Sequence, residues 1–361
     1  MDLRIRRREI LQSDKRIYRT DPGLGPEPPQ SELKMTNRTK LKLAIGLGAT
    51  CSGCDIAIVD LAEKLIDIFN AVDVVFWPTA SDQKLEEIQQ LPEGSVDLCF
   101  YHGSIANEDN REIAQLLRKK AKIMVAFGAC ACHGGTPGLA NLTTTKELFA
   151  TVYGKTSSTD RSEPKHPLPD TPVREHSLHL PEKFDAVRCL HDCVQVDYYL
   201  PGCPPEVQLV DKAINAILTG KLPEKGATLA PDRILCDECP REREEKKISR
   251  IHRISDTIPD QERCFLDQGI VCLGPATRMG CEAKCIKANM PCRGCMGPTA
   301  RALDQGAKMI ASIGSVLGLE GEEQMTEEEV KALMDQIKDP VGLFYMFTLP
   351  SATLNRKSVK K

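Results

Sequence analysis

Twelve of the sixteen cysteines fall into two sets whose types and spacing could ligate metal. The first set is dispersed: Cys51-Ser-Gly-Cys54, then Cys130 in Gly128-Ala-Cys130-Ala, then Cys203 in Gly202-Cys203-Pro-Pro. The second is dense: Cys236, Cys239, Cys264, Cys272, Cys281, Cys285, Cys292 and Cys295. Thiolate is a soft ligand that selects zinc, copper(I) or iron–sulfur clusters. A cubane cluster takes four thiolates, so four plus eight is the ligand count of three 4Fe-4S clusters. Three clusters in one chain would make it an electron conduit.

The competing chemistries are zinc and disulfides. Two zinc ribbons would also use eight cysteines, but no histidine ligands are interleaved with them. A disulfide scaffold suits short secreted chains, whereas this one has 361 residues and ordinary hydrophobic content. The order of the eight dense cysteines does not say which four share a cluster. Of the four remaining, Cys99 reads as a core thiol in a strand, and Cys132 as packing beside the first set. Cys189 and Cys193 form a CxxxC that reads as small buried side chains rather than a further metal site or redox disulfide. His102 and His133 read as satisfied structural groups, and Asp55 and Asp60 as a solvated or capping helix face. No Ser/His/Asp arrangement or phosphate loop stands out, so no catalytic residue is assigned.

The net charge of −3 gives no sign of a nucleic-acid binder. No run approaches the roughly 18 apolar residues of a membrane span. Arg6, Arg7 and Arg8 lack the apolar stretch that a secretory or twin-arginine signal needs. The expectation is a cytoplasmic protein in a reducing or anaerobic compartment.

The elements that must position the thiols can be read from periodicity. Residues 1–39 are charged and proline-rich and read as an extended arm. From Leu41 strand and helix patterns alternate. Strands are expected at 41–47, 72–77, 96–101, 123–127 and 194–200. One amphipathic helix is expected over 55–70, with Ile58, Leu61, Leu65 and Phe69 on a face, and a second is capped by Ser81. Further helices are expected at 107–121 and 205–219, the last with Pro204 and Pro205 near its first turn. This alternation predicts an α/β fold with a flavodoxin-like parallel sheet over 40–230, interrupted by a polar loop insertion at 154–183. Cys51, Cys54, Cys130 and Cys203 then lie at the carboxyl ends of strands, the edge where open α/β sheets bind ligands. Residues 231–300 show little periodicity and read as a two-cluster domain in which clusters replace a hydrophobic core. Residues 301–361 read as a helical and apolar tail, with a capping box at Thr326 and Glu329 and a buried run from Val341 to Leu349.

Taken together the motifs resemble the small subunit of nickel–iron hydrogenases. The resemblance is carried by CSGC at 51–54, GACACHGG at 128–135 and LPGCPP at 200–205. CDECPRER at 236–243, GPATRMGCEAKC at 274–285, NMPCRGCMGP at 289–298 and DPVGLFYMFTLPS at 339–351 look like the cytoplasmic methyl-viologen-reducing type. That type does not use the deazaflavin coenzyme directly and is associated with heterodisulfide reductase. The resemblance implies that Cys51, Cys54, Cys130 and Cys203 hold the cluster proximal to a nickel–iron centre. That centre would lie in a partner large subunit, so this chain would not be catalytic alone. It further implies two more 4Fe-4S clusters, a 2Fe-2S partner subunit and a flavin-bearing heterodisulfide reductase-type complex, with electron bifurcation in methanogenesis. A deazaflavin-reducing or sulfur-reducing hydrogenase subunit, a complex I type quinone-reductase subunit and a zinc-stabilised interaction module are the competing readings.

Overall fold

The computed structural model describes residues 40–158, 166–244, 248–317 and 326–353. The expected N-terminal arm lies outside them. β1 (Leu41–Leu47) leads into α1 (Gly53–Val59) and α2 (Lys64–Ala71), and then into β2 (Val72–Phe76) and α3 (Leu85–Gln90). β3 (Val96–His102), the short β4 (Ile105–Asn107) and α4 (Glu108–Lys120) come next. β5 (Ala121–Phe127), α5 (Gly128–His133) and α6 (Thr145–Gly154) follow. A hairpin of β6 (Asp170–Val173) and β7 (His176–His179) precedes β8 (Lys183–Arg188), β9 (Tyr198–Leu200) and α7 (Val207–Leu218).

Five strands form one parallel sheet in the order β2-β1-β3-β5-β9. Counted along the sheet's own strands this is the 2-1-3-4-5 order of the flavodoxin-like fold. The strand order reverses between β1 and β3, and that crevice receives the loop carrying Cys51 and Cys54. Side chains alternate across the pleat. Leu43, Ile45, Phe100, Val125 and Phe127 face one layer with Leu209, Ala213 and Ile214 of α7. Ala44, Cys99, Tyr101, Met124 and Ala126 face the other with Ala114 and Leu117 of α4. Gly46 permits that second contact, since a Cβ there would lie 2.2 Å from Leu117 Cδ1.

Several expected elements are corrected. The helix expected over 55–70 is broken into α1 and α2, with Ala62 in the left-handed region at φ 52°. Ile58 and Leu61 are buried, but Phe69 is exposed, because α2 no longer continues the face of α1. Ser81 does not cap α3; its hydroxyl binds Trp77, donating to the carbonyl at 2.9 Å, and Lys84 holds the N-cap position. The insertion is more than a loop, since it contains the β6–β7 hairpin. Pro204 and Pro205 precede α7, which begins at Val207.

Beyond α7 the chain runs through short turns to α8 (Lys284–Lys287), α9 (Gln305–Val316), α10 (Glu327–Met334) and α11 (Pro340–Phe344). This part does have an apolar core, contrary to expectation. Leu235, Phe265, Leu266, Ile270, Leu273 and Ile286 pack with Met309 and Ile313 of α9 and with Phe344, Tyr345 and Leu349. The expected capping box is present, Thr326 Oγ1 accepting from Glu329 N while Glu329 accepts from Thr326 N. The C-terminal apolar run packs on its own chain, and Pro350 lies against Gly134 and Gly138.

Asp197 anchors the last strand of the sheet. Its carboxylate is 2% exposed, pairs with Arg118 at 2.6 Å and Lys225 at 2.7 Å, and accepts from Met124 N at 2.9 Å. Burial opposes ionisation there, but Lys225, the Met124 amide and Arg118 outweigh it and hold the carboxyl below its ordinary value. A depressed carboxyl contributes stability above its unfolded pKa and loses it as pH falls through the folded one. Asp197→Ala is expected to cost about 2–4 kcal/mol near neutral pH, because it leaves buried donors and charge unpaired. The deficit should shrink in acid, below the roughly 3.9 of a free aspartate. Denaturant unfolding of variant and parent at two pH values measures this; a pH-independent deficit would contradict the assignment.

Candidate metal centres

The first four sulfurs come from three loops at one end of the sheet. Cys51 and Cys54 follow β1, and Ser52 takes the left-handed conformation at φ 61°. Cys130 lies in α5, directly after β5, and Cys203 follows β9. The second and third loops are tied by Ala129 N donating to Gly202 O at 2.6 Å. Glycine makes the approach possible: a Cβ on Gly128 would lie 2.4 Å from Cys54 Sγ, and one on Gly135 would lie 2.4 Å from Cys130 Sγ. Burial, then the charges of Cys130, Cys203, Cys132 and Cys51, pushes the Cys54 thiol far up. Burial, then Cys203 and Cys51, pushes Cys130 up to about 12. The four sulfurs therefore feel one another, as sequence placement at the strand ends required.

Among the eight dense cysteines the charges couple in two sets, with Cys292 coupled to both. Burial, followed by Cys272, Cys264 and Cys239, raises Cys236 to about 12. Cys272 is raised to about 11 by burial, with Cys264 and Cys239 adding to it. Burial, then Cys281, raises Cys295 to about 12, and Cys285 contributes. Cys292 is raised by burial, then by Cys272 and Cys295, and so lies between the groups. Cys292 N donates to Cys272 Sγ at 3.3 Å. Cys295 in turn feels the charge and the amide of Cys203 from the first set.

Backbone amides point at these sulfurs repeatedly. The amides of Thr136 at Cys130, Leu266 and Asp267 at Cys264, Gly274 at Cys272, Ala283 at Cys281 and Gly294 at Cys292 each pull the thiol pKa down against burial. Such donors favour the thiolate form and tune a bound metal. Among the described residues, no three of the twelve sulfurs lie mutually within 4.8 Å. Four-thiol groups of that openness, lined by amides, fit a group larger than one ion.

Sequence reasoning missed several side chains that hold these loops. Glu238, between two cysteines, accepts from Gly280 N at 3.0 Å and Ala283 N at 3.3 Å, joining the loop of Cys239 to that of Cys281. Arg241 stacks on Phe265 with its guanidinium carbon 3.8 Å from the ring centroid, and donates to Arg263 O at 2.7 Å. Gln305 donates to Gly294 O at 3.0 Å and to Thr277 Oγ1 at 3.1 Å. The CPRER run signalled Arg241 only as charge; its role comes from a ring distant in sequence.

Asp55 is a correction. It is 5% exposed rather than on a solvated face. Its Oδ1 accepts from Trp77 Nε1 at 2.7 Å and lies 3.1 Å from His102 Nε2, while Oδ2 is buried without a partner. Burial pulls the carboxyl up, but His102 and Trp77 outweigh it and hold it below its ordinary value. His102 is structural as expected, its Nδ1 lying 3.3 Å from Thr50 Oγ1. Cys99 is a buried strand thiol, and Cys132 donates to Ala126 O at 3.2 Å beside the first set. Burial, with His191 and Arg278 adding, lowers His133 to about 4, so its imidazole is neutral near pH 7.

Comparison with known proteins bears on this geometry. A family model described as NADH ubiquinone oxidoreductase, 20 Kd subunit, matches residues 51–217, which span the first cysteine set. The iron–sulfur subunit of the F420-non-reducing hydrogenase of Archaeoglobus profundus is 39% identical over 328 residues, 89% of this chain and 99% of that protein. A vhu subunit of the F420-non-reducing hydrogenase of Methanocaldococcus jannaschii is 39% identical over 308 residues, 85% of this chain and 94% of that one. The delta chain of sulfhydrogenase 2 of Pyrococcus furiosus reaches only 26% over 259 residues, 72% of this chain and 87% of that one. Among solved structures, a chain of an NAD+-reducing [NiFe]-hydrogenase aligns with a TM-score of 0.44 at 28% identity, covering 52% of this chain and 95% of that chain.

The fold and the similarity over nearly the whole length define a hydrogenase small subunit, an oxidoreductase component. The chain belongs to the family of iron–sulfur subunits of the F420-non-reducing hydrogenases. No helix among the described residues is long and apolar enough to cross a membrane.

The close approach at the first loop is testable. Gly128 has φ +87°, and its Cβ would meet a sulfur. Gly128→Ala is expected to destabilise by about 1–3 kcal/mol, since a strained backbone and a displaced thiol add. Gly154→Ala, with nothing within 4 Å, is the control and should be neutral or stabilising. Equal unfolding midpoints for the two variants would refute the close approach.

Proposed function

We propose that this chain relays electrons from H2, oxidised at a nickel–iron large subunit, through three 4Fe-4S clusters. Cys51, Cys54, Cys130 and Cys203 would hold the proximal cluster. Cys281, Cys285, Cys292 and Cys295 would hold the middle one, and Cys236, Cys239, Cys264 and Cys272 the outer one. Such clusters supply one-electron chemistry at potentials set by charge, amide donors and burial. The reading is supported by the convergence of Cys51, Cys54, Cys130 and Cys203 at the strand ends, by the electrostatic influence of Cys203 on Cys295, and by the Cys292 N to Cys272 Sγ hydrogen bond of 3.3 Å.

The openness of the groups favours clusters over zinc. Four thiolates on one zinc ion, at Zn–S of about 2.3 Å, stand roughly 3.8 Å apart. The described sulfurs do not crowd in threes even within 4.8 Å.

Cys51 and Cys203 are exposed to solvent. On the two helices that follow Cys51, Ile56, Val59 and Ile66 are 57%, 50% and 65% exposed, apolar side chains that a large subunit could cover. At the outer end the chain would hand electrons to a 2Fe-2S subunit and a flavin-containing heterodisulfide reductase-type complex in the cytoplasm. The readings as a deazaflavin-reducing or sulfur-reducing subunit gain less support, given the lower identity to the sulfhydrogenase chain.

Cys51→Ala in the assembled hydrogenase is expected to lower iron by about four per chain and to cut H2-dependent dye reduction at least roughly tenfold. Unchanged iron and activity would contradict the assignment. Cys295→Ala should disturb the middle cluster, seen in the paramagnetic spectrum after dithionite, while hydrogen–deuterium exchange at the large subunit persists. Loss of exchange with the large subunit bound and mature would count against it. Colourless anaerobic protein containing zinc and no acid-labile sulfide would sink the whole reading.

A further inference from the structure

A fourth metal position emerges outside the twelve cysteines. Among the described residues, the Sγ of Cys189, a ring nitrogen of His191 and a carboxylate oxygen of Asp192 lie within 4.8 Å of one another. They come from a single 3-10 turn, Leu190–Asp192, that follows β8. The sequence Cys189-Leu-His191-Asp192 read as small buried thiols because only the cysteines were weighed. The turn brings a histidine and a carboxylate to the same thiol.

We propose that Cys189, His191 and Asp192 bind one divalent zinc ion, with a fourth coordination position left to water or a small anion. One soft sulfur, one imidazole and one carboxylate is a donor set that zinc accepts and that magnesium or calcium does not. Tetrahedral zinc with these bonds needs its ligand atoms roughly 3.3–3.6 Å apart. His191 Nε2 and Asp192 Oδ1 are 3.9 Å apart, too far for a hydrogen bond and a few tenths of an ångström from ligand spacing.

The ligands are held from behind. Asp192 Oδ2 accepts from Cys189 N at 2.9 Å, which leaves Oδ1 towards His191. The His191 ring meets Tyr199 edge-on, with centroids 5.8 Å apart. Such outer contacts orient metal ligands before the ion arrives. Cys189 is fully buried, whereas the His191 and Asp192 side chains are 38% and 41% exposed. The ion would therefore enter from the solvent side and close over the thiol.

On its other side the His191 ring borders a cavity of about 210 Å³, shared with Tyr199, Cys132, His133 and Arg278 and not lined by Cys189 or Asp192. Cys193, the second thiol of the CxxxC, is not part of this close group and feels the Arg188 guanidinium. The site is separate from the three thiol groups, so its test does not depend on them.

The experiment compares metal content in the anaerobically purified hydrogenase, grown with zinc and dialysed. His191→Ala and Cys189→Ser are each expected to lose one zinc per copy of this chain, with iron and acid-labile sulfide unchanged. Cys193→Ala should keep native zinc. Zinc-edge absorption of the native complex minus the His191→Ala complex should contain one sulfur at about 2.3 Å and lighter ligands at about 2.0–2.2 Å. His191 is exposed, so its variant should fold even where Cys189→Ser does not. Identical zinc in native and His191→Ala complexes overturns the proposal, as does loss of iron with zinc unchanged. Low iron and sulfide in the native complex would instead strike at the cluster reading.

Discussion

Thiolates gathered in fours repel one another, and a protein interior screens that repulsion poorly. Burial and mutual charge keep these thiols protonated in the bare polypeptide, as the upward shifts at Cys54, Cys130, Cys236 and Cys295 record. A fold that nonetheless gathers them has been built around positive charge that the chain itself does not carry. Lysine or arginine could have supplied it, yet no such side chain is the leading influence on any of these sulfurs. What the chain does supply is amide N–H, a neutral dipole that stabilises a cluster without quenching its charge.

Amide supply dictates backbone shape, and shape dictates where glycine must stand. Gly128 and Gly135 occupy left-handed or related conformations and sit where a Cβ would strike a ligand sulfur. The sheet provides the rigid edge from which these loops depart. Parallel strands all end at one side, so loops far apart in sequence converge without any long crossing of the core. The second part of the chain is held instead by Glu238, Arg241 and Gln305, whose side chains bridge segments distant in sequence. These are buried polar networks whose members are largely paired, which is the condition for rigidity rather than strain.

Legibility in the sequence followed locality. β3, α4 and β5 were readable within a residue or two because the two strands are near-continuous apolar runs, buried on both faces, and Asn107 caps the helix. The placement of Cys51, Cys54, Cys130 and Cys203 followed from those strands. The break at Ala62 was not readable, since apolar spacing continued across it while a single backbone angle reversed. Asp55 looked solvated because its partners, Trp77 and His102, arrive from other strands. The apolar core of the cysteine-rich part was hidden for a related reason. Leu235, Phe265, Ile286 and Tyr345 sit in short turns with no common period, and only the tertiary fold makes them neighbours.

The returning C-terminal segment ties the loop after β5 to the cysteine-rich part of the chain. Gly135 N donates to Phe347 O at 3.1 Å, and Pro350 fills the space that Gly134 and Gly138 leave open. Asp304 accepts from Thr353 N at 2.9 Å, and Thr348 donates to Gln305, whose amide holds Gly294 beside Cys292 and Cys295. The loop of Cys130 and the loop of Cys295 are thus braced by the same short run of residues. An apolar run that reads as a tail in sequence serves as the strut between two cysteine loops that lie far apart along the chain.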